Sequence, residues 1–543
     1  MTDETGRDIA ASIEALEYIM RFTKRLMTDE TGRDIAASLA ALEAANGDFT
    51  GLSELEKQIC KAFLGARTGK VFRTRFYKYA TNSTSAGTKL LDNAGMAIPT
   101  PATDTAEGSD EYLEYALFRW QRCNYTRDDS DGFARPTALK GWPGYAETGA
   151  VDVGTLRMTF WWNFEVHATY YDITISDSPH PELGLVPWCD AVKIDADGNK
   201  TVMPYFIVSS YNSVTASDGL LRSQPGCPAY NQSYNSQVTN YQKKGAGYWG
   251  SRASRNTLQM IWLAIKYATK NSQKYFAGCS SYNIQVACAL AESNVKRVLV
   301  ASSQTGFQAG SCISVGDRGS DTTTDRQSAL LNNIVDRAVV KSVEAVSVNG
   351  ADYIALNLDI DTAITTTTTC LVSTMPWYSG KTDKVLGQYD GSPVSNTDAK
   401  HPYRIGGVEY MNGQAVVAAD TVMEFQSDYS KNVYVAERPT KHVANAHTGY
   451  KLIGNIPNNG KGGDFWSGDA YINPETGGYY PASIGGGDSV GTGDTVWAGD
   501  ANTSGLREYY QGGYLGHGSY AGSVTVNAEY ALSTGYSVFA SCD

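Results

Sequence analysis

From about residue 68 onward, apolar residues recur in short alternating runs cut by Gly- and Asp-rich turns, and one stretch alone breaks that rhythm convincingly. Val71–Tyr77 (VFRTRFY) is a β-type run, and residues 151–171 (VDVGTLRMTFWWNFEVHATYY) form a longer aromatic one. Alternation is clearest within 286–378, at 295–302 (VKRVLVAS), 337–346 (RAVVKSVEAV) and 352–360 (DYIALNLDI). The exception is Ser254–Lys270 (SRNTLQMIWLAIKYATK), where Leu258, Ile261, Trp262, Ile265 and Ala268 share one helical face and Ser254 or Asn256 can cap the start. This pattern predicts a β-rich α+β chain in which 286–378 is a small antiparallel barrel or sandwich. Residues 96–109 (MAIPTPATDTAEGS) read as a loop or linker, and the run Thr365–Thr369 is compatible with a strand.

The N-terminus is different. Met1–Ser12 (MTDETGRDIAAS) recurs letter for letter at Met27–Ser38. Thr5 and Thr31 are placed to cap helices, with Asp8 and Asp34 three residues on. Behind the first cap, Ile9, Ile13, Leu16, Met20, Thr23 and Met27 alternate spacings of four and three, a short heptad seam; Ile35, Leu39 and Leu42 follow the second. The offset, 27 − 1 = 26, is not a multiple of seven, so the two seams cannot share one register. Two short helices, or one broken near Gly32, are expected, either as an amphipathic surface element or as a parallel oligomerisation stem.

Charge removes several function classes. Lys and Arg number 45 against 57 Asp and Glu, a net charge of −12, which opposes binding to a phosphate backbone. No run of about 18 apolar residues is present, so no membrane insertion is expected. The first twelve residues are too polar to read as a secretory signal. Nine cysteines are scattered, odd in number and never spaced as CxxC, which argues against zinc and against a disulfide scaffold. The sequence holds no HExxH, GxSxG or P-loop. His442 and His447 are the closest histidine pair and default to a solvated loop, and Asp464, Asp469, Asp488 and Asp494 are dispersed in Gly-rich loops. Neither an enzyme, a cofactor nor a metal site is predicted.

The tail carries a positive signal. Residues 506–543 (LREYYQGGYLGHGSYAGSVTVNAEYALSTGYSVFASCD) use Tyr, Ser, Gly, Asn, Thr and His as their polar alphabet. Antibody combining sites favour that composition, because Tyr gives large amphipathic contacts at low entropy cost and Ser, Gly and Asn give adaptable hydrogen bonds. Beyond Lys461 the only basic side chain is Arg507, so the tail cannot hold a polyanion by charge.

Three segments, in this order, resemble a known fold family. Residues 243–270 (KKGAGYWGSRASRNTLQMIWLAIKYATK) resemble the loop-plus-helix of C-type-lectin-like domains of the formylglycine-generating-enzyme type. Residues 406–425 (GGVEYMNGQAVVAADTVMEF) resemble their glycine turn and strand, and residues 505–522 (GLREYYQGGYLGHGSYAG) their terminal Arg…Gly-Gly element. The layout is similar to bacteriophage tail or receptor-binding proteins whose C-terminal tract is rewritten by diversity-generating retroelements. The active-site cysteines of the enzymes find no match here, so oxidase chemistry is not implied. The chain also ends Ala540-Ser541-Cys542-Asp543, where the family's last strand often ends Gly-x-Arg.

The resemblance implies an N-terminal helical stem or attachment region at 1–66 and a β-rich virion-proximal region at 67–199. It implies a lectin-like ligand-binding domain at 200–285 and 379–543, with an inserted β-barrel at 286–378. Adenine-directed mutagenesis of AAY-type codons yields Tyr, Asn, Ser, Thr, Asp, His and Gly, which marks Tyr509, Tyr514, His517, Tyr520 and Thr525 as variable, ligand-facing positions. Asn527, Tyr530, Thr534, Tyr536 and Ser537 complete that set. Gly512, Gly513, Gly518, Ala521, Gly522, Ala531 and Leu532 are expected to be frame. The implied partners are a host bacterial surface protein or glycan and other virion proteins, and the implied setting is a phage tail or fibre, as a homotrimer made in the host cytoplasm. A purely structural virion role, as head fibre or decoration protein, stays open beside it.

Overall fold

The computed structural model describes residues 51–78, 86–438, 441–457, 464–486, 494–497, 504–536 and 541–542. The N-terminal repeat and its heptad seams therefore lie outside the described residues. The first described helix, α1 (Glu54–Gly65), starts on a reciprocal cap: Glu56 N–H donates to Ser53 Oγ at 3.2 Å, and Ser53 N–H to Glu56 Oε2 at 2.9 Å. Its apolar stripe of Ile59, with Leu55 and Phe63 beside it, packs into a small core with Tyr125 and Tyr205, and the Tyr205 hydroxyl donates to Glu56 Oε1 at 2.7 Å.

Two antiparallel sheets follow. One runs Thr88–Leu91, Val71–Tyr77, Tyr170–Ser176, Trp161–Val166, Val186–Pro187 in spatial order; the other runs Tyr205–Ser209, Asp152–Met158, Trp120–Arg127, Ala134–Leu139. After them come a short helix, α2 (Tyr234–Tyr241), and the long one, α3 (Ser254–Tyr267). Helix α3 does not lie on a surface. Its polar residues are buried with its apolar ones, and Lys266 reaches Asp110 at 2.6 Å and Asp390 at 2.5 Å. Nor is it capped as the sequence suggests: the N-cap is Ala253, whose N–H donates to Asp420 Oδ1 at 3.0 Å, while the Ser254 hydroxyl turns to Asp190. Capping here comes from a carboxylate distant in sequence.

Six strands between Gln285 and Met375 form one sheet, ordered Gln285–Ala287, Cys370–Met375, Cys312–Asp317, Val335–Val348, Ala351–Asp359, Arg297–Ala301. A backbone bond from Ala289 N–H to Leu299 O at 2.8 Å ties the two ends of this sheet together. Its core of Val298, Ile313, Val340, Leu356 and Val372 is its own. An eight-stranded curled sheet closes the chain, ordered Lys451–Ile456, Lys431–Val435, Val416–Phe425, Leu506–Gln511, Val526–Asn527, Thr495–Trp497, Asp464–Ser467, Ile484–Gly486. Phe72 and Ile175 of the first sheet, Trp262 of α3, and Val433 and Tyr509 of the last sheet belong to one continuous core. The architecture is α+β and β-rich.

Candidate ligand-binding face

The tyrosine-rich tract begins as a central strand. Leu506–Gln511 pairs on one side with Val416–Phe425 and on the other with Val526–Asn527. Two consecutive glycines, Gly512 at φ +93° and Gly513 at φ +71°, then turn the chain in a conformation that L side chains rarely adopt. Past the turn, Leu515 plugs a small core of Cys279, Tyr282, Trp377 and Met411, so the residues on either side of it face outward. Gln273 braces the loop from below through the Gly518 carbonyl at 3.0 Å and the Ala521 carbonyl, and Gly518 N–H donates to Ser280 O at 2.8 Å.

Two buried carboxyl groups complete the frame. Asp494 accepts from Val524 N–H at 2.9 Å and from the Ser272 hydroxyl at 3.3 Å, and burial pushes its pKa up to about 7. A Cβ at position 522 would overlap its Oδ1, which is why glycine sits there. Glu508 accepts from Tyr234 N–H at 2.8 Å, and burial holds its carboxyl well above the usual carboxylate range. A protonated acid in such a position supplies a hydrogen bond without a buried charge.

On this frame the ten expected ligand-facing positions divide. Tyr514 and Tyr520 are each 41 % exposed. His517 lies half-buried under Tyr514, ring centroids 3.9 Å apart, and its Nδ1 takes the Tyr514 N–H at 3.4 Å. Burial lowers that imidazole to about 4, so it is neutral at physiological pH. Tyr520 stands beside Trp466 at 5.4 Å. Half-buried Tyr530 and Tyr536 extend a stacked row from buried Tyr510, with centroids 6.0 and 5.8 Å apart, and Thr534 is half-buried, its N–H donating to Ala531 O at 2.8 Å.

Three expectations are corrected. Tyr509 is fully buried, its hydroxyl donating to Tyr479 O at 2.6 Å. Thr525 is buried and donates to Tyr520 O at 2.9 Å; Asn527 is buried and takes the Glu529 N–H at 2.8 Å. Asn527 lies on a strand flanked on two sides and Thr525 just ahead of it, so their polar groups serve the loop rather than a ligand. Ser537 lies outside the described residues. Ala531, expected in the frame, is exposed instead.

Sequence reading missed two contributors. Asp325 and Arg326 sit in a loop of the six-stranded unit, yet their charges act on Tyr536 together with that of Glu529: after burial, Asp325 is the main cause raising its pKa, with Tyr514 next, and Arg326 opposes them. Arg326 is held by the Thr374 carbonyl at 3.0 Å, and burial lowers its pKa to about 10. Nothing in the run TTTDRQS signals this. The electrostatic influence spans positions about two hundred residues apart in sequence (536 − 326 = 210).

A cavity of about 330 Å³ elsewhere has a lining that includes Phe133, Cys189, Trp249, Arg252 and Arg438. Its Cys189 thiol is pushed far up by burial and by Asp190, and Arg252 is committed to Asp190 and Asp420, so neither offers a free reactive group. Among the described residues no group of three or more His, Cys, Asp or Glu converges as a metal site. Asp469 pairs with Lys78 at 3.5 Å, and the side chains of Asp464 and Asp488 lie outside the described residues. No helix among the described residues is long and apolar enough to cross a membrane. Comparison with protein-family models gives no match, and comparison with curated proteins gives none.

Proposed function

We propose that this chain is a bacteriophage receptor-binding protein, a virion adhesin whose C-terminal lectin-like domain meets a host surface protein or glycan through Tyr514, His517, Tyr520, Tyr530, Thr534 and Tyr536. The observation that carries this reading is the contrast within a single tract. Large amphipathic rings stand exposed on a loop whose glycines, buried carboxyls and Leu515 plug fix its path. Rigid frames bearing changeable side chains suit recognition, since ordering costs are met by the fold before the ligand arrives. Neutral His517, with Glu529 beside Tyr530 and Asp325 and Arg326 near Tyr536, adds hydrogen-bonding and charged groups to the face. In a homotrimer held by the N-terminal stem, three such faces would act together and gain avidity without new contacts. Variation by a diversity-generating retroelement belongs to the same proposal.

The test replaces Tyr514, Tyr530 and Tyr536 together with alanine and measures adsorption of the purified chain to the host bacterium. A fall of at least tenfold with unchanged thermal stability supports the adhesin. Unchanged adsorption, with particles still assembling, favours the structural virion role instead. A neighbouring imperfect copy of the 3′ coding sequence, differing at adenines and accompanied by a reverse-transcriptase gene, tests the variability separately.

A further inference from the structure

The neck of the six-stranded unit holds two cysteines that the binding face does not use. Cys288 directly follows the edge strand Gln285–Ala287, and Cys370 begins the strand it pairs with. The register Ala287↔Leu371, carried one step further, brings Cys288 opposite Cys370, and the Cys288 N–H donates to the Cys370 carbonyl at 2.9 Å. Opposed residues in an antiparallel pair have Cα atoms about 4.5–5.5 Å apart and side chains on one face. A disulfide spans roughly 4.4–6.8 Å between Cα atoms. Both side chains enter the same core, and Cys370 is, after burial itself, the leading cause raising the Cys288 thiol.

The threonine run fixes this neighbourhood. Thr367 N–H donates to Cys370 Sγ at 3.1 Å, and the Thr367 and Thr369 hydroxyls donate to Asp317 at 2.8 and 2.6 Å. Thr366 N–H donates to Glu292 O at 2.8 Å, and Glu292 N–H to Thr366 Oγ1 at 3.2 Å. The segments on both sides of the two sulfurs are thus pinned to each other.

From this juxtaposition we infer that Cys288 and Cys370 form a disulfide on exposure to an oxidising low-molecular-weight disulfide, stapling the six-stranded unit at its neck. Once the strand frays and the Cys288 thiol meets water, where it can ionise, its thiolate attacks one sulfur of the small disulfide, forms a mixed disulfide and expels a thiolate. The Cys370 thiolate then attacks Cys288 Sγ and expels the second. The protein loses two electrons and two protons, and the small disulfide becomes two thiols. Fraying of the three-residue edge strand admits the reagent without global unfolding. The bond closes a loop of 370 − 288 = 82 residues, and cross-links across long loops stabilise chiefly by restricting the unfolded chain.

The full chain is incubated with oxidised glutathione, alkylated after unfolding and digested without reductant for mass spectrometry. The expected result is one linked peptide pair joining Cys288 to Cys370 and a fall from nine alkylatable cysteines to seven. The unfolding transition of this unit should also rise by about 5–10 °C and return on reduction. Nine cysteines still alkylated, or linkage of either sulfur to another partner such as Cys227, overturns the inference. Cys288→Ala and Cys370→Ala should each abolish both linkage and shift. The reduced and oxidised wild type make the same comparison with no variant, so a poorly folding mutant does not decide the matter.

Discussion

A carboxyl group taken wholly out of water holds its proton to higher pH, and Asp494 does so beneath the tyrosine-rich tract. Its pKa stands near 7 in the folded chain against an ordinary value of 3.8. Between those values the folded state binds more protons than the unfolded one, so this group's contribution is complete below about pH 4 and is lost as pH rises to about 7. Asp494→Asn keeps an acceptor for Val524 N–H and removes the titration. The variant should therefore gain on the wild type by on the order of 3 kcal/mol as pH climbs from 4 to 7. Urea midpoints across that range check this, and parallel curves would refute it. The same scale separates two tyrosines that the sequence could not tell apart. Tyr509→Ala should cost about 3–5 kcal/mol, as truncation of buried aromatics does, whereas Tyr514→Ala should stay within about 0.5 kcal/mol while weakening ligand capture. Both residues are Tyr in the same Gly-rich tract. What separates them is that Tyr509 lies on a strand with neighbours on each side and Tyr514 beyond the glycine turn. Composition announced a binding alphabet but carried no information on which rings point outward.

At the scale of an element, helix α3 was legible as a helix and illegible as a buried one. Its apolar face shows directly in the spacing of Leu258, Ile261, Trp262 and Ile265. Its other face is polar in sequence but buried, because partners arrive from far away: the Arg255 guanidinium donates to Glu409 O at 2.6 Å, and Lys266 meets Asp110 and Asp390. Burial disfavours the Lys266 ammonium, but Asp390 and Asp110 together outweigh it and raise its pKa. Removing the cation leaves two carboxyl groups facing each other without water. Lys266→Met is expected to destabilise by about 3–5 kcal/mol, measured by denaturant unfolding at pH 7. Lowering the pH toward 4 should narrow that deficit, since protonation removes the stranded charges. A deficit that stays constant with pH would assign Lys266 a packing role only. The short helix α1 is the contrasting case, since its cap uses Ser53 and Glu56, three residues apart.

At the scale of the whole molecule, alternation exposed the strands of the six-stranded unit but not the way its ends meet. Ile284 N–H donates to the Thr374 hydroxyl at 2.9 Å, and Thr374 N–H donates back to Ile284 O at 2.9 Å. The chain leaves and re-enters the surrounding structure through one pair of residues, and the unit carries its own core. A segment with adjacent ends and a separate core can be removed with little loop-closure cost. The strands Gln285–Ala287 and Cys370–Met375 are already an antiparallel pair, so replacing residues 287–371 with Asn-Gly makes a two-residue hairpin in register, Val286 opposite Val372. Some contacts would go: Arg337 lies over the Tyr230 ring at 3.5 Å and donates to Pro228 O at 3.2 Å, and the Tyr378 hydroxyl donates to Arg337 O at 2.8 Å. The shortened chain should keep its near-ultraviolet circular dichroism and a cooperative transition, with a melting point lower by several degrees. Because excision also takes away Asp325 and Arg326, ligand capture should weaken further than stability does, and Asp325→Ala with Arg326→Ala in the full chain should reproduce that weakening alone. Loss of cooperative unfolding in the shortened chain would mean that the rest of the molecule depends on this unit to fold. Intact capture without Asp325 and Arg326 would confine the binding face to the C-terminal tract.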